Sequence, residues 1–85
     1  MPHFVYILQS EKDGCYYIGE THDVHARLSF HNAGLQRSTR SRIPFKLVHF
    51  EEWANRQEAL KREREIKGYK GGRSFKKLLE GSSPA

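Results

Sequence analysis

Cysteine is nearly absent: Cys15 stands alone among 85 residues. A lone thiol excludes an intramolecular disulfide and a cysteine-built zinc cluster, and it points to a reducing compartment. Long apolar runs are missing as well. No stretch approaches the roughly 18–20 apolar residues that a membrane span needs. The start Met1-Pro2-His3-Phe4 lacks the basic and apolar regions of a signal peptide, so a cytoplasmic protein is expected. Hydrophobic residues make up only 36% of the chain, yet ten aromatic residues (12%) supply bulk that disordered chains lack. One small folded domain with a modest core is therefore expected.

Acid is scarce relative to base. Fifteen Lys and Arg face ten Asp and Glu, a net charge of +5 with histidine neutral. The excess is concentrated. Between Gln36 and Lys46 lie Arg37, Arg40, Arg42 and Lys46 and no acid. From Lys61 to Lys77 eight basic residues, Lys61, Lys67 and Lys70 among them, face only Glu63 and Glu65. A surface of this kind attracts polyanions by counterion release, nucleic acid being the commonest. It serves equally well as a solvated, solubilising face.

The pattern predicts β-β-α-β-α-α, an α+β domain around a small three-stranded antiparallel sheet. Phe4–Leu8 and Cys15–Ile18 are short β-branched and aromatic runs separated by Asp13-Gly14 and closed by Gly19, a hairpin. Thr21 and Asp23 are candidate N-caps for a helix to about Asn32, with Gly34 beyond its end. Leu35–Pro44 is polar, basic and without period, hence a loop. Phe45–Glu51 alternates as a half-buried strand. Asn55 and Glu58 form a capping-box-like pair for a second helix through Lys67, ended by Gly68. Residues 68–72 read as a flexible connection. Ser74 is read as the cap of a third, short helix that turns Phe75, Leu78 and Leu79 to the core. The domain core spans about residues 4–80, with a frayed tail over 81–85.

Several residues conflict with their surroundings. On the second helix Ala59, Leu60, Ile66 and Lys67 share one side, and Glu63 falls in its middle. A carboxylate there is costly unless paired; its partner is either a buried arginine or a divalent cation. On the first helix Arg27 borders the apolar side carrying Val24 and Leu28, one turn before His31. It either lays its stem on the sheet or presents its planar fork to a phosphate. Tyr6, Tyr16 and Tyr17 suit sheet packing. Tyr6 and Tyr17 gain chemical meaning only if their hydroxyls converge with Arg27 and Glu63.

These residues form an ordered series: Phe4-Val5-Tyr6, Tyr17-Ile18-Gly19, then Asp23, Arg27, Leu28, His31 and Asn32, then Thr39-Arg40 and Pro44, and finally Ala59-Leu60-Lys61-Arg62-Glu63. The series resembles the GIY-YIG nuclease superfamily, in particular its small single-domain bacterial proteins, over about residues 4–80. The first motif keeps its tyrosine but has Phe4 for the leading glycine. The resemblance implies a phosphodiester hydrolase using one divalent cation, Mg2+ or Mn2+. By position, Glu63 would be the metal ligand and Arg27 would contact the scissile phosphate. Tyr6 and Tyr17 would line the site, one of them helping to deprotonate the attacking water, with His31 a further candidate for that role.

The substrate so implied is DNA, RNA being open, in repair or in the processing of branched DNA. Glu20 stands where some repair members carry lysine; it would weaken anion binding or add a metal contact. Relatives with known substrates carry extra DNA-binding regions. Here affinity is expected from the basic loop Arg37–Lys46 and the segment Lys61–Lys77. The alternatives are a non-catalytic nucleic-acid-binding module and a small subunit with repair-protein partners.

Overall fold

The computed structural model describes residues 1–81. Its elements run β1 (His3–Ser10), β2 (Tyr16–Thr21), α1 (Val24–Asn32), a single 3-10 turn at Arg40–Arg42, β3 (Phe45–Trp53), α2 (Arg56–Lys67) and α3 (Arg73–Glu80). The three strands form one sheet in the order β2-β1-β3, antiparallel throughout. The predicted order and sheet are thus those observed. Among the described residues no helix is long and apolar enough to cross a membrane.

The central strand explains the layering. Successive side chains of a strand point to opposite faces, and β1 is buried on both. Val5 and Ile7 join Ala59 and Ile66 of α2 and Phe75 of α3 in one cluster. Tyr6 and Leu8 join Val24 and Phe45 in a second, with Leu28 of α1 packed against it. The sheet therefore lies between α2 and α3 on one face and α1 with the basic loop on the other. Each fully buried aliphatic side chain contributes about 1.5–3 kcal/mol by leaving water. Leu78 and Leu79 pack, partly buried, beside Phe75.

Local chemistry sets most boundaries. Asp23 caps α1, its carboxylate accepting the Ala26 N–H at 3.0 Å. Thr21 instead ends β2, and its hydroxyl accepts the Asp23 N–H at 3.2 Å. Gly34, at φ 76°, turns the chain just past α1, a conformation that costs glycine nothing. Asn55 caps α2 through the Glu58 N–H at 2.9 Å.

Three expectations need correction. β3 continues to Trp53 rather than stopping at Glu51, because its last residues keep their β1 partners His3 and Phe4. Leu35–Pro44 is not all irregular, since Arg40–Arg42 make a 3-10 turn. Ser74 does not cap α3: Gly72 holds that place, and Ser74 is the second helical residue. The reversal through Lys70 (φ 52°) and Gly71 (φ 72°) lets the helix start before Ser74 is reached. Of the tail expected to fray, only Gly81 is described, as the residue ending α3; residues 82–85 lie outside the described residues.

The loop 35–44 is tied down by polar groups as well as by Ile43, which packs against the second cluster. The buried Ser10 hydroxyl donates to the Arg42 carbonyl at 2.6 Å and accepts the Lys12 and Asp13 N–H groups of the hairpin turn. Glu11 N–H donates to the Pro44 carbonyl at 2.8 Å. The Asn32 amide closes the far end, accepting from Phe45 N at 2.6 Å and donating to Phe45 O at 3.0 Å. The loop's basic side chains therefore project from a fixed backbone.

The α2 face carries its own polar clamp. The Glu51 carboxylate accepts from Arg62 Nε at 2.8 Å and Nη2 at 3.0 Å, from His49 Nε2 at 2.8 Å and from Trp53 Nε1 at 3.2 Å. Arg62 also reaches Glu65 and the Tyr69 hydroxyl. Burial alone would push the Glu51 carboxyl up; the bonds from Arg62 and His49 outweigh it and hold the carboxyl below its ordinary value.

Two outcomes follow. Arg62→Ala strips the bidentate partner from a largely buried carboxylate and should cost about 2–4 kcal/mol, read as a lower denaturant midpoint at unchanged slope. A carboxyl with a depressed folded pKa gives stability that is present above the unfolded value, about 4.3, and is lost as pH falls below it. The acid side of the stability profile should therefore be shallower in Glu51→Gln than in the natural protein.

Candidate active site

The site begins with a missing side chain. Tyr6 on β1 pairs directly with Gly19 on β2. A Cβ at Gly19 would lie 2.5 Å from the Tyr6 hydroxyl oxygen and 2.7 Å from its Cζ. Only glycine at this register position allows the Tyr6 phenol to lie across the neighbouring strand. Tyr17, two residues earlier on the same face of β2, flanks it with ring centroids 6.3 Å apart.

α1 supplies the next groups. Its His31 ring is 1% exposed and packs 4.7 Å from the Tyr17 ring. Its Nε2 lies 3.3 Å from the Tyr6 hydroxyl, and its Nδ1 lies 2.9 Å from the hydroxyl of Thr39. One turn earlier on α1, Arg27 sets its guanidinium 5.1 Å over the Phe30 ring, a cation–π contact that orients it. Arg27 also lines a cleft of about 310 Å³ together with Thr21, His22, Asp23, Ala26 and Phe30, near the lower end of ligand-sized clefts.

Electrostatics bind these groups together. Burial pushes the Tyr6 phenol well above its ordinary pKa, nearby Tyr17 adds to the rise, Arg27 opposes it, and the Glu63 and Glu20 carboxylates add further. Tyr6 is thus a protonated phenol at neutral pH. Burial first, and the Arg27 charge second, hold His31 below its ordinary value, so the imidazole is neutral.

Glu63 comes from α2, which packs on the opposite face over β1 and β2. Its carboxylate is 16% exposed, and the side chain paired with it is not a buried arginine but Lys67, one turn on, at 2.7 Å and 53% exposed. Glu20 also faces α2, held by His3 at 2.6 Å and Arg56 at 3.5 Å. Among the described residues no three His, Cys, Asp or Glu side chains cluster as metal ligands. The donor set around Glu63 is a single carboxylate. It fits Mg2+ or Mn2+, cations that keep several waters and take further oxygens from a substrate phosphate.

The structure brings Tyr6, Tyr17, Arg27 and His31 together, with Glu63 acting on Tyr6 through its charge. Arg37, Arg40, Arg42 and Lys46 are all exposed on or beside the anchored loop, Arg42 leaning toward Asp13 at 3.5 Å. Lys61 is not brought to the site. It lies about 200° around α2 from Glu63 and lines a separate hollow with Trp53 and Arg62. Lys67 sits on Glu63 itself, and Lys70 is exposed beyond the helix. Thr39 was not among the expected site residues. Its only sequence signal was its place beside Arg40 in the ordered series, since a lone hydroxyl in an aperiodic loop has no distinguishing pattern.

The β-β-α-β-α-α order and the ordered series carried on it point to the GIY-YIG catalytic domain family. The model of that family matches residues 2–76, and the chain belongs to it. More particularly, the chain is similar to small proteins called UPF0213. One from Staphylococcus epidermidis is 44% identical over 80 residues, 93% of this chain and 96% of the relative. One from Haloquadratum walsbyi is 48% identical over 68 residues, 79% and 75% of the two chains. The solution NMR structure of the UPF0213 protein BH0048 of Bacillus halodurans superposes with a TM-score of 0.62 at 36% identity, covering 99% of this chain and 89% of that one. The predicted family and fold are those found.

Gly19→Ala tests the foundation of the site. The added methyl must displace the Tyr6 ring, so unfolding experiments should show a loss of about 1–3 kcal/mol, and NMR contacts between the Tyr6 and His31 rings should disappear.

Proposed function

We propose that this protein is a divalent-metal-dependent endonuclease that hydrolyses phosphodiester bonds of DNA, in repair or in the processing of branched DNA. The observation that carries the reading is the gathering of an arginine, a neutral histidine and a carboxylate around one buried phenol. A pure nucleic-acid binder has no use for Glu63 or for a sealed Tyr6–His31 contact.

Hydrolysis needs an in-line water, neutralisation of the charge growing on the phosphate, and an acceptor for the water's proton. Arg27, at the cleft, binds the non-bridging oxygens, where the charge develops. Tyr6 is held protonated by its burial, so it is no base by itself. It accepts the water's proton only as its own passes to His31 Nε2, and the neutral state of His31 leaves that nitrogen able to take it. The hydroxide oxygen then bonds to phosphorus, the bond to the 3′ oxygen breaks, and that oxygen takes a proton from solvent. Tyr17 walls the imidazole.

Glu63 would hold the cation, which when bound supplies Lewis-acid stabilisation of the leaving 3′ oxygen. Its present partner, Lys67, is half-exposed, and a pair of that kind is worth no more than about 1 kcal/mol, so exchanging it for a divalent ion costs little. Arg37, Arg40, Arg42 and Lys46 would bear on the phosphate backbone from the anchored loop, and Lys61 and Lys70 would add long-range attraction.

The test is cleavage of branched, nicked and single-stranded DNA, beside matching RNA, with and without Mg2+ or Mn2+. Nicking should require the ion and fall about 100-fold or more in Arg27→Ala and Glu63→Ala. Full activity in Glu63→Ala would refute the proposal. Salt-sensitive binding without cleavage would make the protein a binding module instead.

A further inference from the structure

The imidazole of His31 is sealed from solvent, so both ring nitrogens must find partners inside the protein. Nδ1 meets Thr39 Oγ1 at 2.9 Å, and Nε2 meets the Tyr6 hydroxyl at 3.3 Å. Thr39 is itself buried, 3% exposed. Its hydroxyl also lies 3.3 Å from the Gln36 carbonyl, to which it donates. A carbonyl can only accept, so a Thr39 hydroxyl that donates to Gln36 has no proton to offer His31. Its oxygen is left with lone pairs alone for the histidine.

With the Thr39 proton on the Gln36 carbonyl, one direction follows for every bond in the chain. Nδ1 must carry the ring proton and donate to Thr39. Nε2 is left with a lone pair, and Tyr6 donates to it. We infer that Thr39 is a positioning residue that locks His31 in the Nδ1–H tautomer, making Nε2 the proton acceptor that faces Tyr6. The partner of one ring nitrogen deciding the state of the other is the general behaviour of histidine. Here that partner sits in the basic loop, whose ends are pinned at Asn32–Phe45 and Ser10–Arg42.

The catalytic consequence rests on the nuclease reading. A proton leaving Tyr6 can enter the ring only at an unprotonated Nε2. In the other tautomer Nε2 would donate to the phenol oxygen, and the proton would have nowhere to go. When Nε2 does take the proton, Thr39 Oγ1 keeps accepting from Nδ1–H and so stabilises the imidazolium. The charged or titratable groups facing the ring are Tyr6 from β1, Tyr17 from β2 and Arg27 from its own helix. Among the described residues none of them hydrogen-bonds to Nδ1, whose partner is Thr39.

The experiment reads the ring nitrogens of His31 directly, by 15N NMR of the labelled protein at neutral pH, where the ring is uncharged. The natural protein, Thr39→Ser and Tyr6→Phe should show a protonated Nδ1 and a pyridine-type Nε2. Thr39→Val should lose that preference and populate Nε2–H. In cleavage assays Thr39→Val should lower kcat about 10-fold or more while KM stays within about twofold, since the wrong tautomer disables a base without removing a substrate contact; Thr39→Ser should restore it.

A protonated Nε2 in the natural protein, loss of Nδ1–H in Tyr6→Phe, or unchanged Nδ1–H in Thr39→Val would each overturn the assignment. The natural protein and Tyr6→Phe decide it even where Thr39→Val does not fold. Absence of any cleavage by the natural protein would sink the nuclease reading instead, and the spectra would still decide the tautomer.

Discussion

A buried imidazole cannot be left with an unpaired nitrogen, and that requirement organises this domain. His31 sits where α1, β1, β2 and the basic loop meet, and each contributes to its surroundings. Tyr6 comes from β1, Tyr17 stacks from β2, and Thr39 reaches in from the loop. Removing the Tyr6 or the Thr39 hydroxyl would leave a polar atom in an apolar setting, a cost of about 1–3 kcal/mol. Among the described residues no buried side-chain nitrogen or oxygen lacks a partner. The interaction that satisfies the core on this face is thus the same one that arranges the candidate chemistry.

The two faces of the sheet divide the work. On the α1 face, rings and hydroxyls pack beside Leu8, Val24 and Leu28, and Gly19 gives up its side chain so that Tyr6 can reach across. On the α2 face, Val5, Ile7, Ala59 and Ile66 are wholly buried, and Glu51 draws Arg62, His49 and Trp53 into one clamp. Glu63 joins the two, since it belongs to the helix of the stable face while its charge acts on Tyr6.

Charge and geometry meet in the basic loop. Arg37, Arg40 and Arg42 are exposed, but the backbone that bears them is fixed by Ser10, Asn32 and Thr39. A polyanion drawn to this surface therefore meets a rigid element already joined to His31. The second basic segment is less coherent. Lys67 neutralises Glu63, Arg62 is spent on Glu51 and Glu65, and Lys61 points away from the site.

Periodicity and turn chemistry were enough to read the elements, because alternation, capping residues and glycine stops act within a few residues of one another. Asp23, Asn55 and Gly34 did in the fold what their types require. The core membership of Phe75, Leu78 and Leu79 could be read in the same way. Glu63 was visible as a conflict, since a carboxylate among apolar neighbours contradicts its own helix. What only the tertiary structure decided depends on groups far apart in the chain: that Glu63 pairs with Lys67 rather than with a buried arginine, that Gly19 exists to admit Tyr6, that β3 runs on to Trp53 because His3 and Phe4 continue opposite it, and that Thr39 meets His31. Hydrogen-bond direction and side-chain clearance are properties of a three-dimensional neighbourhood, and a linear pattern carries no record of them until the strands have paired.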